Sequence, residues 1–239
     1  MNRRRYLGAV ATTGLLAGCL DSIGDSGDEN AVLGPPEQDL SAASHPSYGD
    51  QFPTLTLEDP LAEREISTDD FAGERAFLLT FIYSNCHDDS CPLLLSRLAH
   101  AQQAAQEEGI SDEVAFLAKT FDPERDTADV LQREGDQQGV DYDLDNWHFL
   151  RPEDFEEASS ILSEQFGLEL ARDDLEAHDH QDHGNDDDES EDEEYDIAHY
   201  NLILLVNKDG YVERAYPNAT SIEWDVITDD LLTVAADTT

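Results

Sequence analysis

AFLLTFIYSNCHDDSCP, residues 76–92, holds a strand, a loop and the start of a helix in one short run. Ala76 to Tyr83 is a continuous apolar run of strand length, rich in aromatic residues, and this pattern marks a buried central strand. The run ends at Ser84-Asn85. Cys86 and Cys91 follow with four residues between them. Pro92 suits the first position of a helix, because its missing N–H has no partner there in any case. Leu94, Leu98, Ala101 and Ala105 then recur at helical spacing, and Gly109 closes the segment. A pair of cysteines thus sits where a central strand hands over to a helix.

The same alternation continues outward. Leu55 and Leu57 alternate with polar residues as a short strand. Val114 to Lys119 is a second apolar strand. The turn Phe121-Asp122-Pro123-Glu124-Arg125-Asp126-Thr127 follows it, with Asp126 as the expected cap of a helix running to about Gln138. A short strand near Trp147 to Leu150 leads to a helix from about Pro152 to Phe166, ended by Gly167. Asn201 to Val206 is another strand, Asn207-Lys208-Asp209-Gly210 a hairpin turn, and Tyr211 to Tyr216 its return. A helix from about Ser221 to Ala235 finishes the chain. Strands alternating with helices, then a hairpin and a helix, give an α/β fold with a mixed sheet flanked by helices.

The chain has 239 residues and a net charge of −43, with 56 acidic against 13 basic residues. Such a charge excludes nucleic acid and anionic lipid headgroups as partners. It points to a halophilic protein, whose self-repulsion is screened by salt. The N-terminus reads as an address. Asn2-Arg3-Arg4-Arg5-Tyr6-Leu7 resembles a twin-arginine export signal, and the apolar run from Tyr6 to Leu16 is too short to span a bilayer. Leu16-Ala17-Gly18-Cys19 resembles a lipobox, which makes Cys19 the lipidated residue and puts the protein on the extracytoplasmic face of the membrane. The expected division is a signal peptide over 1–18, a flexible acidic tether over 19–51 and a domain over 52–239. Within the domain, residues 173–196 are mostly acidic and carry His178, His180 and His183. They are expected to form a solvated, disordered insertion.

With Cys19 assigned to the anchor, Cys86 and Cys91 remain as a pair in an oxidising compartment. A helix N-terminus favours negative charge, so at least one thiol is expected to ionise easily. Two thiolates suit Cu(I) or Zn and leave a metal site one ligand short. The same two thiols also suit disulfide exchange, one attacking and one resolving. A merely structural disulfide would close a very small loop and contribute little. His199, at the start of the Asn201–Val206 strand, is the first candidate for a third ligand, and His87 the second. His45, His100 and His148 read as incidental.

The order of these motifs resembles the Sco/SenC family of copper chaperones for cytochrome oxidase assembly. The matching pieces are Thr80-Phe81-Ile82-Tyr83-Ser84-Asn85-Cys86 with Cys91-Pro92, then Asp122-Pro123-Glu124-Arg125-Asp126-Thr127, then His199 before a strand and the Asn207-Lys208-Asp209-Gly210 turn. The resemblance covers roughly residues 52 to 235. The resemblance implies a thioredoxin-like fold, copper held by Cys86, Cys91 and His199, and delivery to the binuclear copper centre of an oxidase subunit. Two features depart from the family pattern. Four residues rather than three lie between the cysteines, and His87 rather than proline follows the first. The alternative is a thiol–disulfide oxidoreductase that uses Cys86 and Cys91 on client cysteines. The chain lacks any proline between Pro152 and Pro217, where thioredoxin-type reductases carry the one that faces their cysteines.

Overall fold

The computed structural model describes residues 30–86, 89–170, 172–174, 195–197 and 200–237. A short antiparallel pair, β1 (Thr56–Asp59) and β2 (Arg64–Ser67), precedes the main sheet. The run that opens the sequence argument is β3 (Ala76–Ile82), buried at every position. After it come α1 (Ser90–Glu108), β4 (Val114–Thr120), α2 (Ala128–Gln138), β5 (Trp147–Leu150) and α3 (Phe155–Phe166). A two-stranded ladder, β6 (Arg172–Asp174) with β7 (Tyr195–Ile197), leads to β8 (Leu202–Val206), β9 (Val212–Pro217) and α4 (Trp224–Ala235).

The sheet order is β5-β4-β3-β8-β9. β3, β4 and β5 are parallel, whereas β8 and β9 each run antiparallel to the neighbour before them. This is the mixed, helix-flanked sheet of a thioredoxin-like fold. Every residue of β3, β4, β5 and β8 is buried, as continuous apolar strands covered on both faces require. Phe52 and Phe166 meet on one side of β3, Phe52 against Phe77 at 5.2 Å and Phe166 against Phe81 at 5.0 Å between ring centroids.

Several boundaries differ from the sequence expectation. α1 begins at Ser90, so Pro92 is its third residue and Cys91 lies inside the helix. Proline is tolerated there because the first four N–H groups of a helix have no intrahelical acceptor. α2 is preceded by Thr127 at its cap position, because Asp126 is used elsewhere. The ends of the acidic insertion are narrower than 173–196, since Asp173, Asp174, Tyr195 and Asp196 pair in the β6–β7 ladder. The rest of the insertion, with His178, His180 and His183, lies outside the described residues, as do the signal segment and Cys19.

The expectation of a flexible tether up to residue 51 does not hold for residues 30–51. They lie along β9. Gly49 N–H donates to Val212 O at 2.8 Å, and Val212 N–H returns a bond to Asp50 O at 2.9 Å. At the far end, the wholly buried carboxylate of Glu213 accepts the N–H groups of Val32 and Leu33 at 2.7 and 2.9 Å. Asn207 Nδ2 donates to the same carboxylate at 2.6 Å. The strap also presses on the end of α3. Gly167 has φ +62°, and a Cβ there would stand 2.5 Å from Ser44 O, so only glycine fits. Composition missed this strap because its contacts are mostly backbone N–H and C=O groups, which every residue carries. Replacing Glu213 with alanine leaves buried donors unpaired and is expected to cost roughly 3 kcal/mol. Hydrogen exchange at the Val32 and Leu33 amides checks this. Unchanged protection there would show that Glu213 does not hold the strap.

Candidate functional site

β3 delivers the chain to Tyr83, and the turn Ser84-Asn85 leads to Cys86. The sulfur of Cys86 is half-buried over the first turn of α1, where it accepts the N–H of Cys91 at 3.3 Å. Ser90 Oγ lies 3.3 Å from the same sulfur. The N–H bond and the positive end of the helix both favour an anion at Cys86. Cys91 sits behind it, 2% exposed. Its thiol is pushed up from the ordinary cysteine value, by burial first, then by the hydrogen bond and charge of Cys86, while Tyr83's backbone and Ser90 oppose the shift. The sequence expects at least one of the two thiols to ionise easily, and Cys91 is not that one. Desolvation outweighs the helix field at a buried sulfur. Both cysteines are free thiols.

The loop before Cys86 is fixed from the neighbouring strand. Asp126 is wholly buried, and its Oδ1 accepts the N–H of Ser84 at 3.0 Å. Its other oxygen accepts a short hydrogen bond from Thr120 Oγ1 at the end of β4. Thr120 Oγ1 in turn accepts the N–H of Asp122 at 2.9 Å. Asp122 is paired with Arg125, Oδ2 to Nε at 3.6 Å. The Asp122–Thr127 turn thus props the cysteine loop, which explains why Asp126 does not cap α2. Burial pushes the Asp126 carboxyl up to about 6, against the hydrogen bonds from Ser84 and Thr120.

The sequence candidates separate as follows. The structure brings Cys86 and Cys91 together. His199 and His87 lie outside the described residues. Among the described residues, no group of three His, Cys, Asp or Glu side chains is placed to hold a metal ion. The histidines read as incidental are accounted for away from the cysteines. His148 Nδ1 pairs with Asp59 at 2.9 Å, and His100 packs edge-on against Trp224 at 5.3 Å. His45 Nδ1 lies 2.9 Å from Pro46 O. Sequence reasoning missed Ser84 and Thr120 as partners of Asp126. Ser84 lies within a quoted motif and Thr120 between the quoted strand and turn, but only the pairing of β3 with β4 brings the two turns together.

Residues 53–144 match the family model for SCO1/SenC. No curated protein matches the chain significantly. Among solved structures, a SCO1/SenC family lipoprotein from Bacillus anthracis str. Ames has a TM-score of 0.57 at 19% identity, covering 77% of this chain and 95% of that one. BsSco, described as a Sco-family cytochrome c oxidase assembly protein with a disulfide switch, has a TM-score of 0.56 at 22% identity over 78% and 94% of the two chains. Bradyrhizobium japonicum ScoI, solved with copper bound, has a TM-score of 0.55 at 18% identity over 77% and 99%. At these identities the structural likeness establishes the shared fold.

Proposed function

We propose that this chain, a Sco/SenC-type protein by its family match and its fold, is a copper-binding chaperone. It would load or maintain the binuclear copper centre of a cytochrome oxidase subunit, held by lipid on Cys19 at the extracytoplasmic face of the membrane. The observation that carries the reading is the pair of free thiols stacked at the β3–α1 junction of this fold. Two soft sulfurs suit Cu(I). Cys86 is the half-buried entry ligand and Cys91 the buried one. Since Cys91 holds its proton tightly, copper uptake at this sulfur is coupled to proton release.

His199 completes the donor set in this reading. β8 runs antiparallel to β3, so its first residue, Leu202, lies at the end of β3 that leads to Cys86. Thr80 Oγ1 donates to Leu202 O at 2.9 Å, which pins that end of β8. His199 precedes Leu202 by three residues. An imidazole beside two thiolates would let the site accept Cu(II) as well as Cu(I). Oxidising the thiols to a disulfide would remove both sulfur ligands, so redox state would govern loading. Among the described residues no helix is long and apolar enough to cross a membrane, and attachment in this reading is by lipid alone.

The test is Cu(I) stoichiometry on the reduced protein in high salt, beside His199→Ala. One copper per chain, bound about tenfold or more weakly by the variant and lost on oxidation, is the expected result. A half-buried sulfur in front of a fully buried one is also the arrangement of an attacking and a resolving thiol. Weak copper binding indifferent to His199, with ready reduction of a Cys86–Cys91 disulfide by thiols, would make the oxidoreductase the working function.

A further inference from the structure

Roughly one residue in four of this chain is acidic, 56 of 239, yet Ser90 to Gln106 of α1 carries none. The acid-free stretch begins at the cysteines. Leu93, Ser96, His100 and Gln103 recur at alternating steps of three and four residues, which aligns them as one stripe along the helix. Leu93 is 42% exposed, although the large apolar side chains of the rest of α1 are buried. Gln103 is exposed, and Ser96 and His100 are half-exposed. Trp224, 41% exposed, flanks the stripe, lying against His100 and over the guanidinium of Arg97 at 5.3 Å. Arg97 is itself tied to Thr220 O at 2.6 Å. Asp89, Glu107, Asp141, Glu223 and Asp225 mark the borders where acidic side chains resume, and Glu107 closes the far end of the stripe by accepting from Gln103 Nε2 at 3.1 Å.

We propose that this stripe of α1, with Trp224 beside it, is the docking surface for the protein that exchanges copper with Cys86 and Cys91, and that this partner is itself acidic. The inference rests on the chaperone reading for what is exchanged. Its grounds are charge and position. At a net charge of −43, most of the surface repels an acidic partner and attracts a basic one. The stripe offers apolar and uncharged contact with a cation behind it. It adjoins the sulfurs, where a partner must come to take an ion directly. Contact through such a window follows a distinctive salt law. Salt screens the repulsion between the two acidic bodies and leaves the apolar contact intact, so association strengthens as salt rises. A basic partner held on the acidic surface would do the opposite.

The test uses the full chain in neutral detergent and, as probe, the metal-free soluble copper-centre domain of an oxidase subunit from the same cells. Association of the two metal-free proteins is measured from roughly 0.1 M to about 2 M KCl, a range over which screening becomes nearly complete. Leu93→Asp and Gln103→Glu place acid in the stripe. Val226→Asp makes the same change at a residue 47% exposed on the outer face of α4. Affinity is expected to rise with salt, and to fall about tenfold in Leu93→Asp but not in Val226→Asp, as a like charge set against an acidic partner requires. Cu(I) stoichiometry and thermal unfolding of each variant are read alongside and should match the parent. Equal loss in Leu93→Asp and Val226→Asp, affinity that falls with salt, or no association by the parent protein would each overturn the docking surface. Because the readout uses metal-free proteins, failure of the copper reading registers separately, in the stoichiometry.

Discussion

Replacing Lys119 with methionine is expected to stabilise the protein by roughly 4 kcal/mol at pH 7, with the gain vanishing as the pH approaches that of an ordinary lysine. Lys119 is one of only two lysines in the chain and lies in the middle of the sheet, wholly buried, in register with Phe81 and Leu150. Its Nζ reaches only the Thr120 carbonyl, at 3.4 Å. Burial lowers its pKa to about 7, and the charge of Glu157 only partly offsets the shift. The unfolded chain therefore binds more protons than the folded one between about 7 and the 10.5 of an ordinary lysine. Stability rises with pH across that window, and the contribution is lost as pH falls through 7. Methionine has no proton to lose and similar length. Urea unfolding of both proteins at several pH values in high salt measures the difference. Parallel curves from pH 7 to 10 would mean that Lys119 is solvated in solution.

The Asp126→Asn variant carries the opposite sign. The carboxyl of Asp126 is raised to about 6, so the folded protein binds a proton that the unfolded chain releases near 3.8. Its contribution to stability is fully present below the unfolded value and is lost as pH rises through about 6. Relative to Asp126→Asn, the parent protein should gain roughly 2 kcal/mol between pH 7 and pH 4. Asparagine keeps an oxygen for the Ser84 N–H, so the comparison isolates the proton. Removing the acceptor altogether in Asp126→Ala should also loosen the turn before Cys86 and weaken Cu(I) binding about tenfold, as loss of an outer support of a metal ligand does. Unaltered copper affinity in Asp126→Ala would show that the Asp122–Thr127 turn is only a structural brace. A parent profile that tracks Asp126→Asn would show an ordinary carboxyl.

The elements were legible because their signals are local. Continuous apolar runs marked β3, β4 and β8, and helical spacing with a closing glycine marked α1. Asn207 and Gly210 marked the hairpin, and the turn closes as they predict, with Gly210 N–H donating to Asn207 O at 3.0 Å. The order of strands and helices pointed to an α/β mixed sheet, and the thioredoxin-like class came from the resemblance of the motifs to the Sco/SenC family. The cysteine pair was equally legible, since spacing and position require no knowledge of what surrounds them.

What tertiary structure decided was the environment of those residues. Cys91 falls inside α1 and against the core, so desolvation outweighs the helix field at that sulfur. Asp126 could cap α2 or hold Ser84. Only the parallel pairing of β3 with β4, which brings the ends of both strands together, settles it in favour of Ser84. Residues 30–51 read as tether because polar composition predicts solvation, yet Glu213, distant in sequence, receives their backbone N–H groups in the interior. Periodicity and motif order are properties of neighbours along the chain, and the sequence carries them openly. Burial, the pairing of distant groups and the protonation that follows from both arise only when the chain closes on itself.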